Sequence, residues 1–257
     1  MIDVTFPRMS SRQEAAWHAL IEVGERLPEG WTLVGGQLIH LHCVERGALS
    51  PRPTDDGDAG LDVRARPEIL AEFTGVLNDI GFVPDTATWR GHQHRWTRGD
   101  AAIDVLIPRF LGERAEARRG VGGGTTLAAP GTQGALNRTE MVRVTVAGVT
   151  GTVPRPTLPG AIAAKAAALE IADDPRWPRH VQDLAILSTL IRRDDSFDDY
   201  TSREMARVGN AIGRTVVDPS IVAAIEGATD GLAQLRRVLN NVERRRQAGA
   251  SGPTSGL

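Results

Sequence analysis

A mixed α/β unit followed by a helical unit, an α+β arrangement, is the fold class this sequence predicts, and three observations carry it. Strand patterns and a hairpin alternate with amphipathic helices up to about residue 155, the character turns helical after Pro154-Arg155-Pro156, and no internal repeat is visible. The expected division is 1–155 for an α/β core, 156–247 for a helical C-terminal domain and 248–257 for a disordered tail with nothing to bury.

Taken in order, Ser11 with Glu14 reads as a capping box, and Trp17, Leu20, Ile21 and Leu27 follow at helical spacing until Pro28 and Gly30. A short strand, Thr32 to Val34, runs into Gly35-Gly36, and residues 37–44 read as a second helix. Residues 47–57, rich in Pro, Gly and Asp, read as a loop. Alternation from Asp58 to Arg64 predicts a strand, and Asp62 would share the Asp58 face if it stays regular through Gly60. Pro67 opens a helix that Gly81 closes. His92 to Thr97, a Gly99-Asp100 turn and Ala101 to Ile107 form a hairpin. Residues 118–134 look too irregular for an element, with Gly120 to Gly124 a flexible loop lacking the Gly-Lys-Ser/Thr ending of a phosphate loop. Met141–Ala147 and Gly151–Val153 predict a second hairpin. Helical spacing then covers 158–171, 179–191, 201–214 with a Thr201/Glu204 capping box, 219–226 and 231–246.

Composition bounds the function. The 257 residues carry a net charge of −2, so any nucleic acid must be held by local basic patches. No apolar run approaches the roughly 20 residues of a membrane span and no signal segment opens the chain, so a cytoplasmic protein without a membrane partner is expected. A single cysteine, Cys43, excludes an internal disulfide and reads as a small buried hydrophobe. The basic residues are 29 Arg and one Lys, so individual arginines carry little signal and Lys165 carries more.

The chemistry concentrates in Gly35-Gly36 and in Arg52-Pro-Thr54-Asp-Asp56-Gly-Asp58. Carboxylates at i and i+2 in extended chain project from one side of the backbone. Such a pair can clamp Mg²⁺, which prefers hard oxygen ligands and leaves positions open for phosphate. The glycines offer backbone N–H groups at a strand-to-helix turn where a triphosphate could approach without meeting a Cβ. Asp104, inside the aliphatic strand 101–107, would be costly to bury unless a cation compensated it, and a metal shared with Asp56 and Asp58 would do so. The bland alternative is an acidic turn and a solvent-facing edge carboxylate.

With these residues in place the sequence resembles the nucleotidyltransferases of the AbiEii/AbiGii toxin type, MenT-like toxins included, within the DNA-polymerase-β-like superfamily. The resemblance runs from Leu33 to about Leu187. It matches Gly35 and Gly36 to the family's glycine pair, Arg52, Thr54, Asp56 and Asp58 to its R-x-[ST]-x-D-x-D motif, Asp104 to its third acid, and Lys165 and Asp183 to its later lysine and Arg/Asp signatures. It implies a nucleotidyltransferase-fold mixed sheet with flanking helices, a two-metal site with Mg²⁺ on Asp56, Asp58 and Asp104, and catalytic roles for those acids, Lys165 and Asp183. Gly35, Gly36, Arg52, Thr54 and Lys165 would bind the nucleotide, ATP or another nucleoside triphosphate. An acceptor hydroxyl would displace pyrophosphate, and the acceptor of a toxin of this type would be tRNA or other RNA, with an antitoxin protein as partner. Two departures stand out: Gly57 replaces an aliphatic anchor between the acids, reducing local rigidity, and the glycine motif lacks the serine of many relatives.

Weaker signals surround this set. Lys165 in an alanine-rich helix either snorkels to water or points at a polar site, and Asp183 could orient it, act as base, or face solvent. His92, His94 and Arg95 precede Trp96 on the partner strand of Asp104, within reach of a phosphate or base; His40 and His42 read as core residues, and no zinc pattern is present. Arg114, Arg118 and Arg119, and Arg236, Arg237 and Arg244 to Arg246, are RNA-contact candidates or solvated charge. An enzyme acting on a small molecule or protein, and a non-catalytic nucleotidyltransferase-fold binding protein, are the competing readings.

Overall fold

The computed structural model describes residues 1–50, 54–88, 91–110, 112–171, 174–215 and 219–250. The chain forms two compact units, Met1–Ala164 and Lys165–Leu257, and the division falls inside a helix beyond Pro154-Arg155-Pro156.

In the first unit the elements run β1 (Ile2–Thr5), α1 (Ser11–Arg26), β2 (Trp31–Val34), α2 (Gly35–Glu45), β3 (Asp56–Leu61), α3 (Ile69–Asp79), β4 (Val83–Pro84), β5 (Arg95–Arg98), β6 (Ala101–Pro108), α4 (Glu113–Glu116), β7 (Leu127–Ala129), α5 (Thr132–Leu136), β8 (Thr139–Val146), β9 (Val149–Pro156) and most of α6 (Leu158–Ala168). Among the described residues they make a six-stranded mixed sheet of order β2-β3-β6-β5-β4, with β7 also on β6, and a three-stranded sheet β1-β8-β9. The β3–β6 pair is parallel, with α3 in the intervening chain, while β2–β3 and β5–β6 are antiparallel. One face of β6 carries Ile103, Val105 and Ile107, all buried, so Asp104 points to the other face. Helix α1 seals the apolar side with Trp17, Leu20, Ile21 and Val23 fully buried. The second unit is helical: the end of α6, then α7 (Trp177–Thr189), α8 (Ser202–Thr215), α9 (Pro219–Ala223) and α10 (Ala228–Ala250). An α/β unit followed by a helical one is thus what the chain adopts.

Several details differ from expectation, each for a local reason. Ser10, not Ser11, caps α1, because Gln13 at the third helical position completes the reciprocal box with it. The N-terminal residues form β1, parallel to β8, a pairing between ends far apart in sequence. Strand β3 starts at Asp56 and stops at Leu61, short of Arg64, and Asp62 just beyond it accepts from the Ala65 N–H. The irregular stretch contains β7 and α5. The Gly120–Gly124 loop is pinned, with the Val121 N–H donating to Thr74 Oγ1 and the Gly124 N–H to Gln93 Oε1. Helix α10 continues through Ala250, past the expected start of the tail; 251–257 lie outside the described residues. Cys43, His40 and His42 are buried as expected.

Candidate active site

The acidic residues meet through strand register. Asp58 of β3 is paired with Asp104 of β6, and directly paired residues on neighbouring strands, about 4.8 Å apart, share a face. Asp56 lies two residues before Asp58, hence on that face too. The two acid-bearing segments, separated by more than forty residues of chain, are therefore brought side by side. Thr132 of α5 covers the same face at Gly60, where a Cβ would stand 2.6 Å from its methyl group.

The glycine pair is where α2 starts, and each glycine is fixed by a close approach. Gly35 has φ +68°, and a Cβ there would stand 1.8 Å from Asp58 Oδ2; at Gly36 it would meet the Thr54 side chain at 2.8 Å. The space beside the glycines is thus taken by the motif's own Asp58 and Thr54, and the pair first of all lets the acid strand dock on the start of α2. Gly57 has a similar explanation on the reverse face, where a Cβ would lie 3.0 Å from Leu20 Cδ1 of α1. The position expected to loosen the strand is filled by the neighbouring helix.

A hydrogen-bond chain ties this site to the core. Trp17 Nε1 donates to Gln37 Oε1 (2.8 Å), Gln37 Nε2 donates to the Thr54 carbonyl (2.8 Å), and Thr54 Oγ1 donates to Asp56 Oδ1 (2.8 Å). It ends on a residue that the sequence placed only near a phosphate or base. Arg95 donates from Nε to Asp104 Oδ1 (2.7 Å), and from Nη2 to Asp104 Oδ2 (2.8 Å) and Asp56 Oδ2 (2.7 Å). Its hydrogen bond to Asp104, reinforced by both carboxylates, holds the guanidinium even more firmly protonated than usual against the opposing effect of burial. The signal was in the hairpin: a two-residue turn at 99–100 pairs Arg98 with Ala101 and hence Arg95 with Asp104.

The donor type and shared face of the three acids are those a hard divalent cation prefers. The Asp58 carboxylate fills the cradle at Gly35, which is too small for any Cβ. In the arrangement adopted, the cation facing Asp56 and Asp104 is Arg95, and among the described residues no three His, Cys, Asp or Glu side chains are gathered so as to hold a metal ion. Arg52 of the motif lies outside the described residues.

Lys165 and Asp183 belong to the second unit. Lys165 Nζ pairs with Asp183 Oδ2 at 2.8 Å, both largely buried, so the lysine does not snorkel and Asp183 does not face solvent. His180, one turn earlier on α7, approaches Asp174 at 3.3 Å; burial, then the Lys165 charge, hold its imidazole below the usual range. The other basic candidates are partly committed. Arg118 donates to the Val63 carbonyl and Arg119 to that of Gly123, while Arg245 pairs with Asp198 and Arg246 donates to the Asp198 and Tyr200 carbonyls. No described helix is long and apolar enough to cross a membrane.

No protein-family model and no curated protein matches the chain, so the toxin-type resemblance rests on the motif residues themselves. Among solved structures the chain is similar to the solution structure of the antibiotic-resistance factor ANT(2'')-Ia, at 13% identity over 94% of this chain and 98% of that one, with a TM-score of 0.38. A likeness of that degree defines neither activity nor substrate.

Proposed function

We propose that the chain is a Mg²⁺-dependent nucleotidyltransferase of the polymerase-β-like superfamily that moves a nucleoside monophosphate from a nucleoside triphosphate to an acceptor hydroxyl, releasing pyrophosphate. The observation that carries this reading is the register of Asp58 against Asp104 beside the Gly35 turn, with Asp56 on the same face. Bound Mg²⁺ would screen the triphosphate and favour attack at its α-phosphate. Asp56, Asp58 and Asp104 would hold the ions, and Thr54, bonded to Asp56, would fix that carboxylate's rotamer. Gly35 and Gly36, by letting the acid strand dock there, would bring the backbone N–H groups at the start of α2 beside the acids to meet the phosphates, and Arg52 would join them as the motif suggests. Lys165, oriented by Asp183, would serve the triphosphate, the role the resemblance gives it.

The toxin-type motifs favour tRNA or other RNA as acceptor, an antitoxin as partner and a cytoplasmic setting. Purified protein incubated with Mg²⁺, each labelled nucleoside triphosphate and total RNA should label RNA, and Asp56→Ala should abolish this. Absence of transfer, or transfer that survives the substitution, would refute the reading. The hold of Arg95 on two of the acids favours one second reading, a non-catalytic protein of this type; it predicts no transfer to RNA, protein or small hydroxylated acceptors.

A further inference from the structure

We propose that Arg95 is an internal counter-cation that competes with divalent metal for Asp56 and Asp104, so that metal binding requires its guanidinium to leave; the idea rests on the metal-binding reading above. Every carboxylate oxygen of these two acids is already an acceptor: Asp104 Oδ1 and Oδ2 and Asp56 Oδ2 take Arg95, and Asp56 Oδ1 takes Thr54. A Mg²⁺ ion on any of the three oxygens that Arg95 holds would sit about 2.1 Å from an atom that already has a guanidinium nitrogen 2.7–2.8 Å away. Two cations that close repel strongly, so the occupants are coupled negatively.

Departure is structurally open to Arg95. Its side chain is 38% exposed, its three bonds all go to these acids, and β5 remains paired through backbone bonds to β4 and β6 whichever way the side chain turns. Without a cation of either kind, Asp56, Asp58 and Asp104 would stand together as like charges on one face. Arg95 offsets the charge of Asp56 and Asp104 until a metal replaces it.

The test is a Mn²⁺ titration of chelator-stripped full-length protein without nucleotide, following free Mn²⁺ by its paramagnetic resonance signal. Arg95→Met should bind Mn²⁺ about tenfold more tightly than the parent, in line with ordinary coupling between mutually exclusive ligands. Arg95→Lys, which keeps the charge but loses the two-pronged grip, should fall between them and serves if the methionine variant does not fold. Adding Asp104→Asn to Arg95→Met should remove the gain. Equal or weaker binding by the folded Arg95 variants, tight binding that survives Asp104→Asn, or no Mn²⁺ binding by any of these proteins overturns the proposal. A Mn²⁺ gain without nucleotide transfer would refute the proposed activity alone, and transfer without the gain would refute the counter-cation alone.

Discussion

Two arginines in the first unit each hold two carboxylates, and their surroundings make them different devices. Arg155 of β9 pairs with Glu45 of α2 and Glu140 of β8 at 2.8 Å each, and its side chain is 2% exposed. Arg95 grips Asp104 and Asp56 equally closely but is 38% exposed. A buried guanidinium cannot exchange its partners for water, so the Arg155 cluster fastens α2 to β8 and β9. The same grip at a half-open face can be traded for another cation. Geometry alone would not separate the two; access to water does.

Arg155→Met should break the buried cluster at the largest cost, about 3–5 kcal/mol, because it strips Glu45 of a charged partner in a dry site. Urea denaturation checks this, and Arg95→Met should lose only about 1 kcal/mol or less in the same experiment, since half-exposed pairs are screened. Similar losses for the two would erase the distinction.

Gly35→Ala should cost about 1–3 kcal/mol, from the left-handed backbone and from the Cβ driven into Asp58. It should also reduce nucleotide transfer more than Arg95→Met does, since it displaces a metal-binding candidate. Transfer assays alongside denaturation would show whether the two losses travel together.

The smallest effect sharpens the buried side. Burial, with Arg155 and Arg46 nearby, holds the His42 imidazole well below its usual range, so its 3.7 Å approach to Glu45 is not an ion pair near neutral pH. Because the unfolded chain takes up this proton first, the contribution is intact above about pH 6.5 and falls as pH drops below it, by at most about 1.4 kcal/mol per unit. His40 and His180, also lowered, act with the same sign. Urea midpoints between pH 7.5 and 5.5 should decline, and His42→Gln should flatten part of that decline.

How much of this was legible in the sequence depended on whether the deciding contact was local. The α1 periodicity, the strand-glycine-helix passage into α2 and both hairpins follow from nearest-neighbour chemistry, and they lie close to where spacing puts them. The parallel pairings β1–β8 and β3–β6 depend on chain returning from far away, so no local pattern marks β1, and the Asp58–Asp104 juxtaposition is implied by the motif's resemblance and not by any periodicity. Arg95 is the instructive case, since its place before Trp96 suggests a phosphate or base contact and it holds the acids instead. Counting outward from the Gly99-Asp100 turn places it opposite Asp104.

The bonds running from the Trp17 indole through Gln37 and Thr54 to Asp56 give the molecule a built-in optical probe. Any shift of Asp56 on exchanging Arg95 for a metal ion would be passed through Thr54 and Gln37 to a buried fluorophore in the middle of α1. Trp17 emission, isolated from the other four tryptophans by substituting them, would report events at the acids from inside the core.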